Sequence, residues 1–362
     1  MNILVMDVPA EYGGALSILT DFYEETFSFS EHTWFFAVST PCLKSKDNVE
    51  VLKFSWIKKS WFHRLYFDYF VAPRLVKKYK IDAIFSLQNV KVPFTKVKQI
   101  LYVHHPVPFT RHQFKLKKDK KLWLYQNVIS KLILKAIKSS QKVIVQTEWM
   151  KEQIINKTDI PLEKVHVIPP KLDEKITEKF IVEENSFKMF FYPASLISYK
   201  NHILIIEAAK LLFDRGITDF KIIFTLENNE EGYLKKEALR FDLPILFVGP
   251  LLRNEIFEFY SKTTLIFPSY VETYGLPLLE AKVIGSMILA SKEPFCYEIL
   301  GKYTNVKFFD YTDSEELSRL METLIFDGMN VYTPRKSDEN YFYEYSASLA
   351  KVVVDFVEEE TY

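Results

Sequence analysis

Two glutamates eight positions apart, Glu272 and Glu280, stand in the run FPSYVETYGLPLLEA (267–281), which otherwise reads as apolar and aromatic core. A carboxylate in such a setting accepts hydrogen bonds from hydroxyls, holds a cation, or does acid–base work. Gly275 and Pro277 lie between the two acids and are strong backbone punctuators. Pro277 suits the first turn of a helix. The run therefore reads as a strand, TLIFPS (264–269), a loop over 269–276, and a helix with Glu280 in its first turn. Taken singly, Glu280 reads more simply as a helix-dipole complement and Glu272 as a solvated loop acid. Their pairing around Gly-Leu-Pro at a strand end is what points to a ligand.

Ligands of doubly wound sheets bind at the carboxyl ends of strands, and four further places satisfy that rule. Gly13 and Gly14, in VPAEYGGALSILTDFY (8–23), permit a tight turn and a close backbone approach, with the amides of the next helix open to an anion. The dinucleotide fingerprint G-x-G-x-x-G is absent there. His104 and His105 end a strand in YVHHPVPF (102–109); His104, the first after the strand, is the preferred candidate to bond a sugar or phosphate, the alternative being a residue that satisfies loop carbonyls. Lys200, in YPASLISYKNHILIIEAAKLL (192–212), precedes an amphipathic helix for which Asn201 suits the N-cap region. A lysine beside a helix N-terminus is repelled by the dipole unless an anion is shared between them. Gly249-Pro250 closes a strand whose backbone can present amides to a nucleobase, and Arg253 reads as a local cap or pair.

The elements that must position these residues are short, continuous apolar runs separated by helix-like segments. Seven lie in the first half, at 2–8, 34–39, 49–55, 82–87, 98–105, 142–147 and 165–170; six lie in the second, at 188–194, 220–226, 245–250, 264–269, 287–291 and 305–310. Runs of that kind predict strands covered on both faces, hence parallel sheets in an α/β protein with two Rossmann-like halves. The polar stretch 169–187 reads as the linker, placing a first domain at 1–172 and a second at 186–345; the segment 346–360 reads as an amphipathic helix.

At 362 residues with 48% apolar and 16% aromatic side chains, the chain can bury two cores. Cys42 and Cys296 are too few for a disulfide framework or a Cys-rich zinc site. The opening residues lack the basic start of a signal peptide, and no run of about 18 apolar residues suggests a span; the expected location is cytoplasmic. Net charge is zero, yet residues 51–150 carry 21 Lys/Arg against 4 Asp/Glu. Within that block, 54–80 and 111–138 interleave lysines with Trp, Phe and Tyr, the composition of a peripheral segment on anionic lipid; solvated helix faces are the plainer reading. No nucleic-acid module is recognisable.

The block ETYGLPLLEA resembles the E-x7-E motif of retaining GT-B glycosyltransferases, in particular glycosyltransferase family 4. The resemblance extends to Gly13-Gly14, the His after a strand of the first half, Lys200 and the strand-end VGP. It implies an α/β GT-B fold, two Rossmann-like domains with parallel sheets facing across a cleft, the last helix (346–362) rejoining the first domain. It further implies a hexosyltransferase that uses a UDP-, GDP- or dTDP-sugar as donor and a glycan or lipid-linked acceptor, in bacterial surface polysaccharide or glycolipid synthesis. Glu280 would bond the donor ribose, and Glu272 would face the hexose. Backbone around Tyr274, Gly275 and Leu276 would approach sugar and diphosphate, with Lys200 neutralising the departing diphosphate. His104 would sit near the transferred sugar, and Gly13-Gly14 near phosphates or acceptor. No D-x-D pair occurs, so transfer without a metal or other cofactor is expected. Two positions depart from the family pattern: Ser195 stands where an Arg is usual, and Pro170-Lys171 where Asn-Gly is usual. A GT-B nucleotide-sugar epimerase, or a GT-B subunit that binds without catalysing, are the alternatives.

Overall fold

Each of the thirteen apolar runs becomes a strand, and every strand pairing is parallel. The computed structural model describes residues 1–11, 13–40, 42–172, 176–226, 232–334 and 348–359. Two units result: Met1–Lys171 with Ser346–Tyr362, and Leu172–Tyr345.

The first unit holds β1 (Asn2–Asp7), β2 (Thr33–Val38), β3 (Val49–Lys53), β4 (Ala83–Ser86), β5 (Lys98–Tyr102), β6 (Lys142–Val145) and β7 (Val165–Val167), in the order β3-β2-β1-β4-β5-β6-β7. Side chains alternate across a strand, so β1 feeds two cores. Ile3 and Val5 pack with Phe22, Trp34 and Phe85 on one face, and Leu4 and Met6 with Phe35, Phe67 and Ile84 on the other. The first of these cores also takes Ala350, Val353, Val354 and Val357 of the last helix (Leu349–Glu358). Glu25 holds that helix at its N-terminus, accepting from the Ala350 amide (2.9 Å) and the Ser348 hydroxyl (2.8 Å), where a carboxylate also suits the dipole.

Two helical stretches of the basic block each contain a π-turn: 61–78, interrupted at Phe67–Val71, and 120–139, interrupted at Tyr125–Ile129. Such a turn widens a helix locally and re-aims its side chains, and it recurs at functional sites.

The second unit holds β8 (Met189–Tyr192), β9 (Lys221–Phe224), β10 (Ile245–Phe247), β11 (Thr264–Phe267), β12 (Ile288–Ser291) and β13 (Val306–Phe309), ordered β10-β9-β8-β11-β12-β13. In both sheets the opening strand has one early and one late strand as neighbours, β2 and β4 around β1, β9 and β11 around β8. That is the topological switch point, where loops of distant sequence end side by side.

Residues 176–187, read above as linker, pack instead on the second unit. Ile176 and Phe187 are buried, and the Phe180 amide donates to Ile284 O (2.9 Å). Residues 173–175 lie outside the described residues. The helix Ser314–Val331 crosses Phe187 at Gly328, where a Cβ would come within 2.4 Å of the ring. Gly328→Ala is therefore expected to destabilise the second unit by about 1–3 kcal/mol through overpacking. Urea unfolding checks this; an unchanged midpoint contradicts so close a contact.

Candidate functional site

Residues 193–201 follow β8 and residues 268–275 follow β11, and pairing of these strands (Leu265 opposite Phe191) places the two loops together. Their backbones are laced directly: the Tyr270 amide donates to Tyr199 O (3.1 Å), and the Ser269 hydroxyl to the same oxygen (3.3 Å). Tyr192, the last residue of β8, is buried and donates its hydroxyl to Lys200 O (2.8 Å). From that anchored position the Lys200 ammonium donates to Glu272 Oε1, which also accepts from the Ser269 hydroxyl (2.8 Å). Ser269 is fixed in turn, its carbonyl accepting from the Ser291 hydroxyl (2.6 Å). Lys200 and Glu272, 72 residues apart, are thus one half-buried ion pair.

Asn201 departs from the expected cap. It is left-handed (φ 59°) and makes no side-chain bond to the helix His202–Asp214; its amide donates to Tyr311 O (2.8 Å) and ties down the loop after β13. Lys200 lies in the short turn Ser198–Lys200 before that helix, with Glu272 as the anion it shares.

Glu280 also sits differently from the expectation. The helix Leu276–Ile284 begins right after Gly275, which has φ +90° and a would-be Cβ contact of 3.2 Å with Leu278, so glycine is required there. Glu280 is consequently its fifth residue, beyond the first turn, and only 2% exposed. A dipole effect no longer accounts for it; the Arg253 guanidinium does, with Nη1 donating to Oε1 at 2.7 Å. Arg253 opens the helix Arg253–Lys262, is 52% exposed, and lies over the Phe257 ring. Its partner is thus 27 residues away rather than local. Burial, and then the Glu280 carboxylate, hold the Tyr260 hydroxyl well above its ordinary range. Tyr274 is buried beside the elbow, Leu276 is the first helical residue, and Gly249 has φ +76° with open space where a Cβ would stand.

In the first unit the switch point opens a cavity of about 990 Å³, bounded by residues 8–10 after β1, 88–95 after β4, and both π-turn helices. His104 and His105 line it, their amides donating to Asn89 Oδ1 (2.8 and 3.1 Å). Burial pushes the His104 imidazole down to about 4 and that of His105 to about 3, so both are neutral near pH 7. His105 stacks on Tyr125, ring centroids 4.0 Å apart. Gly13 (φ +63°) and Gly14 begin the helix Gly13–Thr26, with no atom within 4 Å of a Cβ at either.

Sequence reasoning missed three acids and bases here. Asp7, buried at the end of β1, has its carboxyl pushed up to about 8 by desolvation, against the pull of the Ala10 amide, Arg64 and Lys58. Arg64 and Asp68 form an ion pair (2.6 Å) in the cavity wall. Their four-residue spacing in a helix was the available signal; Asp7 offered none beyond interrupting an apolar run. Among the described residues no group of three or more His, Cys, Asp or Glu is assembled as a metal site.

Residues 173–342 match the family model described as glycosyl transferases group 1, and residues 18–175 that of glycosyltransferase family 4. The chain is 21% identical over 295 residues to the O-antigen chain mannosyltransferase RfbU of Salmonella typhimurium, covering 76% of this chain and 81% of that protein. Among solved structures, WaaG, a glycosyltransferase involved in lipopolysaccharide biosynthesis, superposes with a TM-score of 0.69 at 13% identity over 99% of this chain and 100% of its own. Anabaena HepE in complex with UDP and glucose gives 0.63 at 15% identity, over 98% of this chain and 95% of its own. These likenesses show a common GT-B fold.

The buried Asp7 generates a pH test. A carboxyl whose folded pKa stands at about 8 against an ordinary 3.8 stabilises the fold fully below the lower value, and that contribution is lost as pH rises through the upper one. Asp7→Asn is expected to abolish this decline. Melting curves from acid to mildly alkaline pH check it, and parallel profiles for the two proteins contradict it.

Proposed function

We propose that this chain, which belongs to the glycosyltransferases of family 4, moves a hexose from a nucleotide sugar to a glycan or lipid-linked acceptor, with retention of configuration and without a metal ion. The observation that carries the reading is the convergence of Lys200 and Glu272 at the switch point of the second sheet, with Glu280 on the helix that follows. The mannosyl transfer to O-antigen chains named for RfbU supports a surface-polysaccharide product, and the UDP and glucose held by HepE support a nucleotide-sugar donor.

Glycosyl transfer passes through an oxocarbenium-like state while negative charge grows on the leaving diphosphate. Fixed positive charge aimed at that oxygen lowers the barrier. Glu272 holds the Lys200 ammonium in place; a diphosphate offers Lys200 a stronger anion, leaving Glu272 to accept from a sugar hydroxyl. Glu280, buried and oriented by Arg253, accepts from the ribose hydroxyls. With Ser195 in place of a second cation, Lys200 carries more of the phosphate charge. In the first unit His104 is a neutral group at the sugar end of the acceptor.

The reading places the protein in the cytoplasm, against an anionic membrane. Among the described residues no helix is long and apolar enough to cross one. The stretch 61–78 exposes Trp61 (63%) and Phe62 (82%) beside Lys58 and Lys59, and 120–139 exposes Leu124, Val128 and Leu132 among lysines. Apolar side chains amid basic ones suit an interfacial helix.

Incubation with a panel of UDP-, GDP- and dTDP-hexoses is expected to give transfer or slow hydrolysis of one, and Glu280→Ala to weaken that donor about 10- to 100-fold with the fold intact. Epimerised nucleotide sugar, or no response to any nucleotide, contradicts the reading. Co-sedimentation with phosphatidylglycerol vesicles at low salt is expected for the wild type and lost in a Trp61→Glu/Phe62→Glu variant; equal sedimentation of both contradicts the membrane assignment.

A further inference from the structure

The chain of β5 leaves its sheet abruptly. The Val103 amide still donates to Ile144 O of β6 (2.8 Å), and Pro106, three residues on, has no amide to give. The two amides between them, of His104 and His105, lie beyond the ladder, where an unpaired buried donor is costly. One atom answers both: Asn89 Oδ1, at 2.8 and 3.1 Å. Asn89 is 5% exposed and has a left-handed backbone (φ 63°), a conformation that asparagine adopts more readily than most residues with a side chain.

The loop that carries Asn89 is tied on both sides. The Ser86 hydroxyl, at the end of β4, donates to Val90 O (2.6 Å), and the buried carboxamide of Gln99 in β5 exchanges two bonds with the Val92 backbone (2.9 and 2.8 Å). Consecutive amides that converge on one oxygen restrict the peptide between them, so Asn89 fixes the direction in which β5 hands over to the two histidines. Both rings line the first-unit cavity with Nδ1 buried and unpartnered, and His105 is braced by the Tyr125 ring. Among the described residues the His104 ring makes no hydrogen bond, so its place comes from its backbone and the neighbouring Tyr102 ring.

We propose that Asn89 is a positioning residue of the transfer reaction, acting through His104: its carboxamide oxygen sets the backbone from which that imidazole reaches the sugar. The role rests on the proposed transferase reading; the double bond from one oxygen to two successive amides stands without it.

The test uses the full chain and the hexose donor that the nucleotide-sugar panel identifies, in Asn89→Gly, Asn89→Asp, His104→Ala and the Asn89→Gly/His104→Ala double variant. Glycine keeps the left-handed backbone and removes the acceptor, whereas aspartate keeps both. Asn89→Gly is expected to lower kcat about 10- to 100-fold with the nucleotide Kd unchanged, since Lys200, Glu272 and Glu280 belong to the second unit. Asn89→Asp is expected to retain kcat within about threefold. In the His104→Ala background, Asn89→Gly is expected to cost less than about threefold, the non-additivity of two residues that act as one. Hydrogen exchange at the His104 and His105 amides reads the geometry without turnover: slow in the wild type and Asn89→Asp, and at least about tenfold faster in Asn89→Gly. Fast exchange in the wild type overturns the inference. So does an unchanged kcat or unchanged exchange in Asn89→Gly, the same loss repeated in the His104→Ala background, or a kcat for Asn89→Asp as low as that of the glycine variant. Should Asn89→Gly fold poorly, wild-type exchange and Asn89→Asp turnover still decide. A wild type that turns over no donor overturns the transferase reading and the role with it, whereas an active wild type with an equally active Asn89→Gly overturns the role alone.

Discussion

The pairing of β8 with β11 is the constraint from which the candidate site follows. Once those strands lie side by side, the loops after them must end at one place, and an ammonium from one meets a carboxylate from the other. Half-buried charges of this kind are tolerated only when paired, so Lys200 and Glu272 hold each other, and the hydroxyls of Ser269 and Ser291 hold Glu272 in turn. Glu280 repeats the arrangement one helix later with Arg253. Both acids are oriented before any ligand arrives, and in each pair a cation stands ready for an anionic one.

The same reversal of strand order in the first sheet yields a different environment. There the polar groups around the switch point are held neutral by burial: Asp7 raised, His104 and His105 lowered. Charge is confined to the walls, in Arg64 and the lysines, and the π-turns at 67–71 and 125–129 turn apolar side chains toward the opening. One topology thus supports a charge-paired site in one unit and a neutral floor with a basic, apolar mouth in the other.

All thirteen strands were legible, because parallel strands buried on both faces are written as unbroken apolar runs. The prominence of Glu272, Glu280 and Lys200 was legible too, since each breaks such a pattern near a strand end. Their partners were less so. That Lys200 meets Glu272 depends on which strands neighbour each other, a long-range fact with no local trace. Arg253 looked like a helix-start residue with a local role, and only folding shows its reach to Glu280. The helix carrying Glu280 was placed correctly, yet Gly275 starts it at Leu276, which moves the glutamate out of the first turn and into the core. Asn201 had the composition of a cap but a left-handed backbone that turns its amide elsewhere. The segment 176–187 misled because its charged residues alternate with a few apolar ones, Ile176, Phe180 and Phe187, that suffice to anchor it.

The central claim is that the Lys200–Glu272 pair marks where a nucleotide's diphosphate binds. Calorimetric titration of UDP, GDP and dTDP into the wild type and Lys200→Ala tests it most directly. The account predicts that one of them binds the wild type, and that Lys200→Ala, which removes a charged hydrogen bond to phosphate, weakens it by about tenfold or more. Equal affinity for the two proteins, or no binding of any of the three, would contradict it.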